Sequence, residues 1–536
     1  MTQTLDMVIV GAGFSGLYML HKARGMGLSA RVIEVGSGVG GTWFWNRYPG
    51  ARVDVESHEY SYSFSPELET EWQWKERYAA QPELLGYLNH VADRFDLRRD
   101  IQLNTRVTEA RFDEAAHRWL VTTDKGERIS ARYCIMATGC LSSPKQIDIP
   151  GADTFKGEVY NTTNWPKEKV DFRGKRVGVI GTGSSAVQTI TEIAPEVGSL
   201  HVFQRTPCFS VPAHNGPANP DVRRNWLANR ETNRQSEREN PIGILAAVVT
   251  DKMALETPPE ERRQTYEDRW TKGGFAIGGA YVDMLMVKEA NDTFVDFIAN
   301  KVRSVVKDPK TAEKLIPRTY PVGSKRICVD TGYFQVYNQP NVTLVDISQS
   351  PVTVTPKGVK TGDAEYEFDC LIFALGFDAM TGALSKIDIR GRNGQTLKET
   401  WQGGPRTYLG LMVSGFPNLF LVTGPGSPSV LSNMVVSIEQ HVDWISSCIA
   451  AMGERQMDMI EASPEAEAGW IAHVNEVADM TLYPQANSWY VGANIPGKPR
   501  VFMPYPGGVG VYRQLCNDVV AKGYEGFVMS SSAQAG

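Results

Sequence analysis

The chain has 536 residues, too many for one compact core, and its length suggests about three to four folding units. It is 42% hydrophobic and 22% charged, an ordinary globular composition that excludes disordered and collagen-like chains. The net charge is only −6 and no basic block is visible, which argues against nucleic acid or an anionic membrane surface as the main partner.

The opening run MTQTLDMVIV leads straight into a predicted strand. It lacks the basic, apolar and small-residue succession of a secretory signal, and no uninterrupted apolar run approaches about 18 residues. Neither export nor a membrane span is therefore expected. The seven cysteines (Cys134, Cys140, Cys208, Cys328, Cys370, Cys448 and Cys516) are scattered, contain no Cys-x-x-Cys, and read as reduced thiols of a cytoplasmic protein. The eight histidines form no metal-ligand cluster, so no metal site is predicted.

Two strand–turn–helix–strand units of the same kind follow, far apart. The first runs MVIV, GAGFSG, a helix ending near Gly27, and the strand ARVIEV. Gly11, Gly13 and Gly16 form G-x-G-x-x-G, where the first glycine allows the turn, the second admits a pyrophosphate to the backbone, and the third lets helix and strand pack closely. Glu34 ends the second strand, where a carboxylate can hold a ribose diol. The second unit runs KRVGVI, GTGSSA, a helix through Ile193, and SLHVFQR. Gly181, Gly183 and Ala186 give the G-x-G-x-x-A form, and the strand ends in Gln204-Arg205-Thr206 instead of an acid. Guanidinium and hydroxyl groups pair with a 2′-phosphate that a carboxylate would repel, so this site favours NADP over NAD. Two cradles of different selectivity suggest a tightly held redox cofactor and an exchangeable hydride donor, most economically FAD and NADPH.

From about Gly216 to Arg318 the character becomes helical. A capping box, Thr257-Pro-Pro-Glu260, opens a charged stretch, and Phe294, Phe297, Ile298, Val302 and Val305 recur at helical spacing. Strand character returns in YEFDCLIFALGF (366–377) and NLFLVTGPG. Ile438, Val442, Ile445 and Ile449 then mark a helix with one buried face, on which His441 reads as a packed or solvated residue. The predicted fold is α/β, with two interleaved Rossmann-like dinucleotide-binding domains and a helical insertion. The FAD-binding domain takes 1–145 and 377–536, the latter with substrate and lid loops. The NADP-binding domain takes 146–215 and 319–376, and the insertion 216–318.

The stretch Gly40–Asp54, GGTWFWNRYPGARVD, resembles a motif of type I Baeyer–Villiger flavoproteins at every fixed position. A second motif appears as FKGEVYNTTNWP (155–166), in which Phe155, Gly157, Trp165 and Pro166 fit but Asn161 stands where the family has histidine. GTGSSAVQ, VFQRTP, GSKRICVDTGY, NSWYVGANIPGKPR and GYEGF agree as well, and GPGSPSVLSN is similar to the active-site loop of the phenylacetone and steroid monooxygenase branch.

The resemblance implies a monooxygenase that uses NADPH and O₂ to convert a ketone to an ester or lactone through a C4a-peroxyflavin, with sulfides as possible side substrates. It places Arg326 as the catalytic cation and Asp54 as its carboxylate partner, both also cofactor contacts. Arginine suits the task because it stays protonated. The resemblance puts Thr42, Trp43, Trp45, Tyr60, Val107 and Met434 against FAD. It assigns Ser184, Ser185, Gln188, Arg205, Thr206 and Lys325 to NADP, and Trp489 to a mobile loop over the nicotinamide cofactor. Ser429, Val430, Leu431, Met434 and Pro504 become candidates for the substrate wall. The Asn161 departure bears on coupling between the nucleotide domains, since asparagine hydrogen-bonds without carrying charge. A ketone and O₂ are the expected partners of a monomer or weak homo-oligomer.

Three other functions compete. A nitrogen- or sulfur-oxygenating flavoprotein shares both cradles, but Trp165-Pro166 and the Gly40–Asp54 match favour the ketone branch. A disulfide reductase needs a redox dithiol at short spacing, which the sequence lacks. A non-catalytic redox sensor has no use for Arg326 with Asp54 or for Trp489.

Overall fold

Met7 to Val10 are buried side by side because parallel strands flank them on both edges, which removes any solvent face. The computed structural model describes residues 2–531. Met1 and 532–536, the outer ends of the first and last predicted domain segments, lie outside them. The strand Thr2–Val10 sits in an eight-stranded sheet between Ala30–Ile33, followed at the edge by Ile101–Gln102, and Arg128–Met136. Beyond Arg128–Met136 the sheet continues antiparallel through Arg118–Thr123 and Val107–Asp113, and then parallel to Asp388–Arg390. Leu419–Leu421 also pairs with Arg128–Met136, so the late part of the chain returns to the first sheet.

A second sheet has five parallel strands in the order Val342–Asp346, Ser199–Gln204, Arg176–Ile180, Cys370–Phe373 and Glu158–Asn161. Parallel pairing requires crossovers, and the helices Phe14–Gly25 and Ser184–Ile193 supply them directly after the two glycine turns. The predicted single strand over 366–377 is in fact two. Ala364–Glu367 joins a small antiparallel sheet, and only Cys370–Phe373, buried throughout, enters the parallel one. The acids at Glu365 and Glu367 belong on the open antiparallel piece, which the apolar run alone did not reveal.

Between the strands Ser210–Pro212 and Cys328–Asp330 lie the helices Pro220–Ala228, Arg230–Glu239, Pro259–Lys272, Lys288–Val305 and Pro309–Leu315. Phe294, Phe297, Ile298 and Val302 face inward as their spacing predicts. The predicted capping box does not form: the helix begins at Pro259, and the Thr257 hydroxyl donates backward to the Met253 carbonyl at 2.8 Å. Two successive prolines turn the chain before Thr257 can reach the helix N–H groups. This region is tied to the first unit by Arg234, which is 2% exposed and donates to Glu237 (3.0 Å), Glu69 (3.3 Å) and Ser61 (2.8 Å). Among the described residues no helix is long and apolar enough to cross a membrane.

His441 lies buried in the helix Met434–Glu454. Its Nδ1 accepts from the Thr423 N–H at 2.8 Å, so the neutral ring carries its proton on Nε2, 3.0 Å from the Tyr512 hydroxyl. Burial, helped by Arg513, pushes its pKa down to about 3 from the usual 6.5. An unfolded chain therefore takes up the proton first. This contribution to stability is complete above pH 6.5 and is lost as pH falls toward 3, at about 1.4 kcal/mol per pH unit. Thermal unfolding followed from pH 7.5 downward should show this acid limb, and His441→Gln should flatten it.

Candidate functional site

The first cradle is built by close backbone contact. Gly11 has φ +106°, and a Cβ there would meet the Ala137 carbonyl oxygen at 2.5 Å; a Cβ on Gly16 would fall 1.8 Å from the Gly11 oxygen. The helix Phe14–Gly25 starts from Gly13 without a side-chain cap, which leaves its first N–H groups open to an anion. Glu34 is buried just past the second strand. Its carboxylate accepts from the Ala12 N–H at 2.8 Å and the Gly36 N–H at 2.6 Å. Burial raises its pKa, against the pull of those amides.

Thr42 begins the turn Thr42–Trp45 and is exposed, whereas Trp43 is buried and Trp45 half-buried. Tyr60 stands edge-on to Trp43 (5.9 Å) and to Phe14 (5.3 Å). Val107 is buried where the register with the next strand slips. Met434 opens a helix capped by Asn433, whose side chain also donates to the Glu59 carbonyl at 2.8 Å.

The second cradle repeats the design but is more open. Gly181 has φ +116° and a Cβ there would meet the Ala374 oxygen at 2.4 Å, whereas a Cβ on Gly183 would meet nothing within 4 Å. The helix Ser184–Ile193 likewise lacks a side-chain cap. Ser184 is exposed, and the Ser185 hydroxyl lies 3.3 Å from that of Thr162. The amide of Gln188 accepts from the Tyr48 hydroxyl (2.9 Å) and donates to the Arg52 carbonyl (3.0 Å), tying this helix to the Gly40–Asp54 stretch.

Arg205 is exposed just past its strand, and the Thr206 carbonyl accepts from the Thr182 hydroxyl at 2.8 Å. The Lys325 ammonium sits 4.3 Å from the centre of the Tyr320 ring; burial, then Arg205, lower its pKa. A phosphate would relieve the repulsion between these two cations. Asn161 closes its own turn, its side-chain oxygen accepting from the Thr163 N–H (3.0 Å) and hydroxyl (2.7 Å).

Arg326 and Asp54 form a two-pronged pair, with Nε to Oδ2 at 2.6 Å and Nη2 to Oδ1 at 2.8 Å. Nη1 donates to the Val430 carbonyl at 2.8 Å, and the guanidinium lies 5.0 Å from the centre of the Phe275 ring. Burial works against the charge, but the attraction of Asp54 and its hydrogen bonds outweigh it and hold the pKa above the usual arginine value. Three of the five guanidinium donors are taken, which leaves two.

Against this pair, Val430, Leu431, Met434 and Trp489 share one apolar cluster with Met380 and Tyr490. Ser429 is buried with φ +37°, and its hydroxyl accepts from the Val430 N–H and the Cys140 thiol (3.8 Å) and donates to the Met380 sulfur (3.7 Å). Pro504 is buried between Met503 and Tyr505, whose backbones bond to Gly426 and Ser427. Trp489 is half-buried in a short turn, 4.4 Å from the Tyr490 ring. Its segment is moored by Lys498 to Asp378 at 2.7 Å and by Asn494 to the Phe377 carbonyl at 2.8 Å. Sequence reasoning missed Phe275, Tyr490 and the Lys498–Asp378 tether. Phe275 had a signal, a lone aromatic within GGFAIGG; the tether had none.

This is the architecture of an oxidoreductase with two dinucleotide cradles and a half-buried, ion-paired arginine beside an apolar cluster. A family profile for pyridine nucleotide-disulphide oxidoreductases matches residues 8–225. A Baeyer–Villiger monooxygenase of Pseudooceanicola batsensis is 42% identical, over 99% of this chain and 97% of its own. A phenazine N-monooxygenase of Lysobacter antibioticus is also 42% identical, over 98% and 97%. Among solved structures, a steroid monooxygenase bound to NADP superposes with a TM-score of 0.95 at 50% identity, over 99% of this chain and 100% of that one. A complex of OTEMO with FAD and NADP gives 0.95 at 39% identity, with the same coverage. The chain belongs to the Baeyer–Villiger monooxygenase family.

The two cradles differ in a testable way. Gly183→Ala has room to fold and an ordinary backbone angle, so its melting temperature should match the parent. Its methyl group would project into the open cradle and should raise the dissociation constant of NADPH at least about tenfold, or roughly 1.4 kcal/mol. Gly16→Ala should instead lower the melting temperature, because its methyl group has no space.

Proposed function

We propose that this protein is an FAD- and NADPH-dependent monooxygenase that uses O₂ to convert ketones to esters or lactones. The observation that carries the reading is the Arg326–Asp54 pair. It is a fixed, half-buried cation with two unspent donors beside an apolar cluster, in a chain with two uncapped dinucleotide cradles. Both cradles fit their cofactors. Each has an open helix N-terminus over glycines that a side chain would disturb or fill, and they differ at the strand end, with Glu34 in one and Arg205 with Lys325 nearby in the other. Bound FAD, reduced by NADPH, supplies the oxygen-activating chemistry.

The chain's own residues do the rest. Gly11, Gly13 and the start of the helix Phe14–Gly25 receive the FAD pyrophosphate, and Glu34 the ribose. Arg205, Thr206 and Lys325 select the 2′-phosphate. Arg326 directs its two free N–H groups at the negative charge that grows on the carbonyl oxygen, in surroundings too apolar for water to screen it. Asp54 holds the guanidinium plane, and the Val430 carbonyl ties it to the substrate loop. The apolar wall of Val430, Leu431 and Met434 admits a hydrophobic ketone and excludes water; Trp489 closes beside it.

The test is direct. Purified protein containing FAD is given NADPH, labelled O₂ and a panel of phenylacetone, a long-chain 2-ketone, cyclohexanone, a steroid 20-ketone and methyl phenyl sulfide. An ester or lactone carrying one labelled atom is expected. The second reading, oxygenation of nitrogen or sulfur, is favoured by the similarity to the phenazine N-monooxygenase. It takes over if only the sulfide or an added phenazine gains oxygen. Arg326→Ala should retain FAD yet lose at least about 100-fold in ester formation.

A further inference from the structure

The chain passes between the two large sheets twice, and each passage starts against a nucleotide cradle. The first leaves the strand Arg128–Met136 at Ala137, whose oxygen a Cβ on Gly11 would meet at 2.5 Å. The second leaves Cys370–Phe373 at Ala374, which stands in the same relation to Gly181 at 2.4 Å. The two passages then run side by side. The Lys145 N–H donates to the Gly376 carbonyl (3.1 Å), that of Asp378 to Ser143 (2.9 Å), and that of Met380 to Cys140 (2.9 Å). Each passage turns at a glycine in the left-handed region, Gly139 (φ +72°) or Gly376 (φ +79°), where a Cβ would meet nothing within 4 Å.

The loop 490–503 is fastened to the second passage, and its two ends pack into the apolar cluster through Tyr490 and Met503. The Met503 N–H donates to the Tyr490 carbonyl at 2.9 Å and closes the loop. The Met503 carbonyl accepts from the Gly426 N–H at 2.7 Å, which ties it to the segment that carries Val430. Arg500 bonds locally, to the Pro484 carbonyl at 3.1 Å. Lys498 and Asn494 reach outward instead. The Lys498 ammonium donates to the Asp378 carboxylate (2.7 Å) and the Ala379 carbonyl (2.9 Å), and Asn494 donates to the Phe377 carbonyl (2.8 Å). The Lys498 side chain is only 12% exposed, so water screens its bonds little. Ala379 and Met380, next along the passage, pack in the same cluster as Val430, Tyr490 and Met503.

We infer that Lys498 is a positioning residue that latches this loop to the second passage and so transmits nucleotide binding in the second cradle to the substrate wall. The route is a short chain of direct contacts. Gly181 rests on Ala374, Asp378 follows four residues later, and Lys498 bridges from Asp378 to the loop. A nucleotide that fixes the turn at Gly181 fixes Ala374 against it, and through the latch it fixes the loop that ends at Met503. In the oxygenation proposed above, a seated loop keeps water from the apolar wall until the ketone has reacted. That consequence rests on the proposed function; the latch does not.

The test follows backbone hydrogen exchange in FAD-loaded protein with and without saturating NADP⁺, comparing the parent with Lys498→Met, Lys498→Arg and Asp378→Asn. NADP⁺ should slow exchange across the loop in the parent. In Lys498→Met the loop should exchange at least about tenfold faster, near the loss of one charge-assisted bond, and NADP⁺ should no longer slow it. Peptides from the helix Phe14–Gly25 should not change. Lys498→Arg should restore the parent pattern, and Asp378→Asn should fall between. On the same samples, ester formed per NADPH consumed should fall in Lys498→Met and recover in Lys498→Arg. The inference is overturned by parent-like exchange in Lys498→Met, or by NADP⁺ still protecting the loop without Lys498. Faster exchange in all peptides alike, in both Lys498→Met and Asp378→Asn, overturns it too, as does an unchanged ester yield once the protection is lost. A protein that never consumes NADPH would count against the proposed function, whereas the exchange pattern still decides the latch.

Discussion

A guanidinium taken out of water must be compensated, and the arrangement around Arg326 is organised by that requirement. Desolvation alone would favour loss of the charge; the paired bonds to Asp54 reverse the balance and fix the plane of the group. Its partners come from distant parts of the chain. Asp54 follows the first cradle, Val430 belongs to the late loop that leads into the helix Met434–Glu454, and Phe275 comes from the helical region. One cation therefore gathers three segments beside the apolar cluster. Its two unspent donors are what this assembly offers to chemistry.

The two cradles share one design. In each, glycines permit contacts that a methyl group would obstruct or fill, and a helix presents uncapped N–H groups. They differ where selectivity is needed: a buried carboxylate ends one strand, and a cation follows the other. Gln188 joins the second cradle's helix to the Tyr48–Arg52 segment just before Asp54. The second cradle is thus joined by two hydrogen bonds to the segment that leads into Asp54.

Much of this was legible in the sequence because the relevant constraints are local. Glycine spacing, the acid or arginine at a strand end, and the buried-face period of Ile438 to Ile449 each act over one or two elements, and the structure places them accordingly. What was not legible depends on distant partners or on competition between neighbours. Thr257 and Glu260 had capping-box spacing, but Pro258 and Pro259 started the helix differently. The run 366–377 looked uniformly strand-like, yet its acidic half paired with a separate small sheet. The Ser429 hydroxyl meets the Cys140 and Met380 sulfurs, partners too distant in the chain for local spacing to show.

The central claim is that Arg326 and Asp54 act as one unit. A double-mutant cycle on ester formation tests it most directly, using Arg326→Ala, Asp54→Ala and both together in FAD-loaded protein. If the pair is a unit, the double variant will be no slower than the slower single variant, because either change already removes the oriented cation. Losses that simply multiply would contradict the account, since Asp54 would then serve the reaction independently of Arg326.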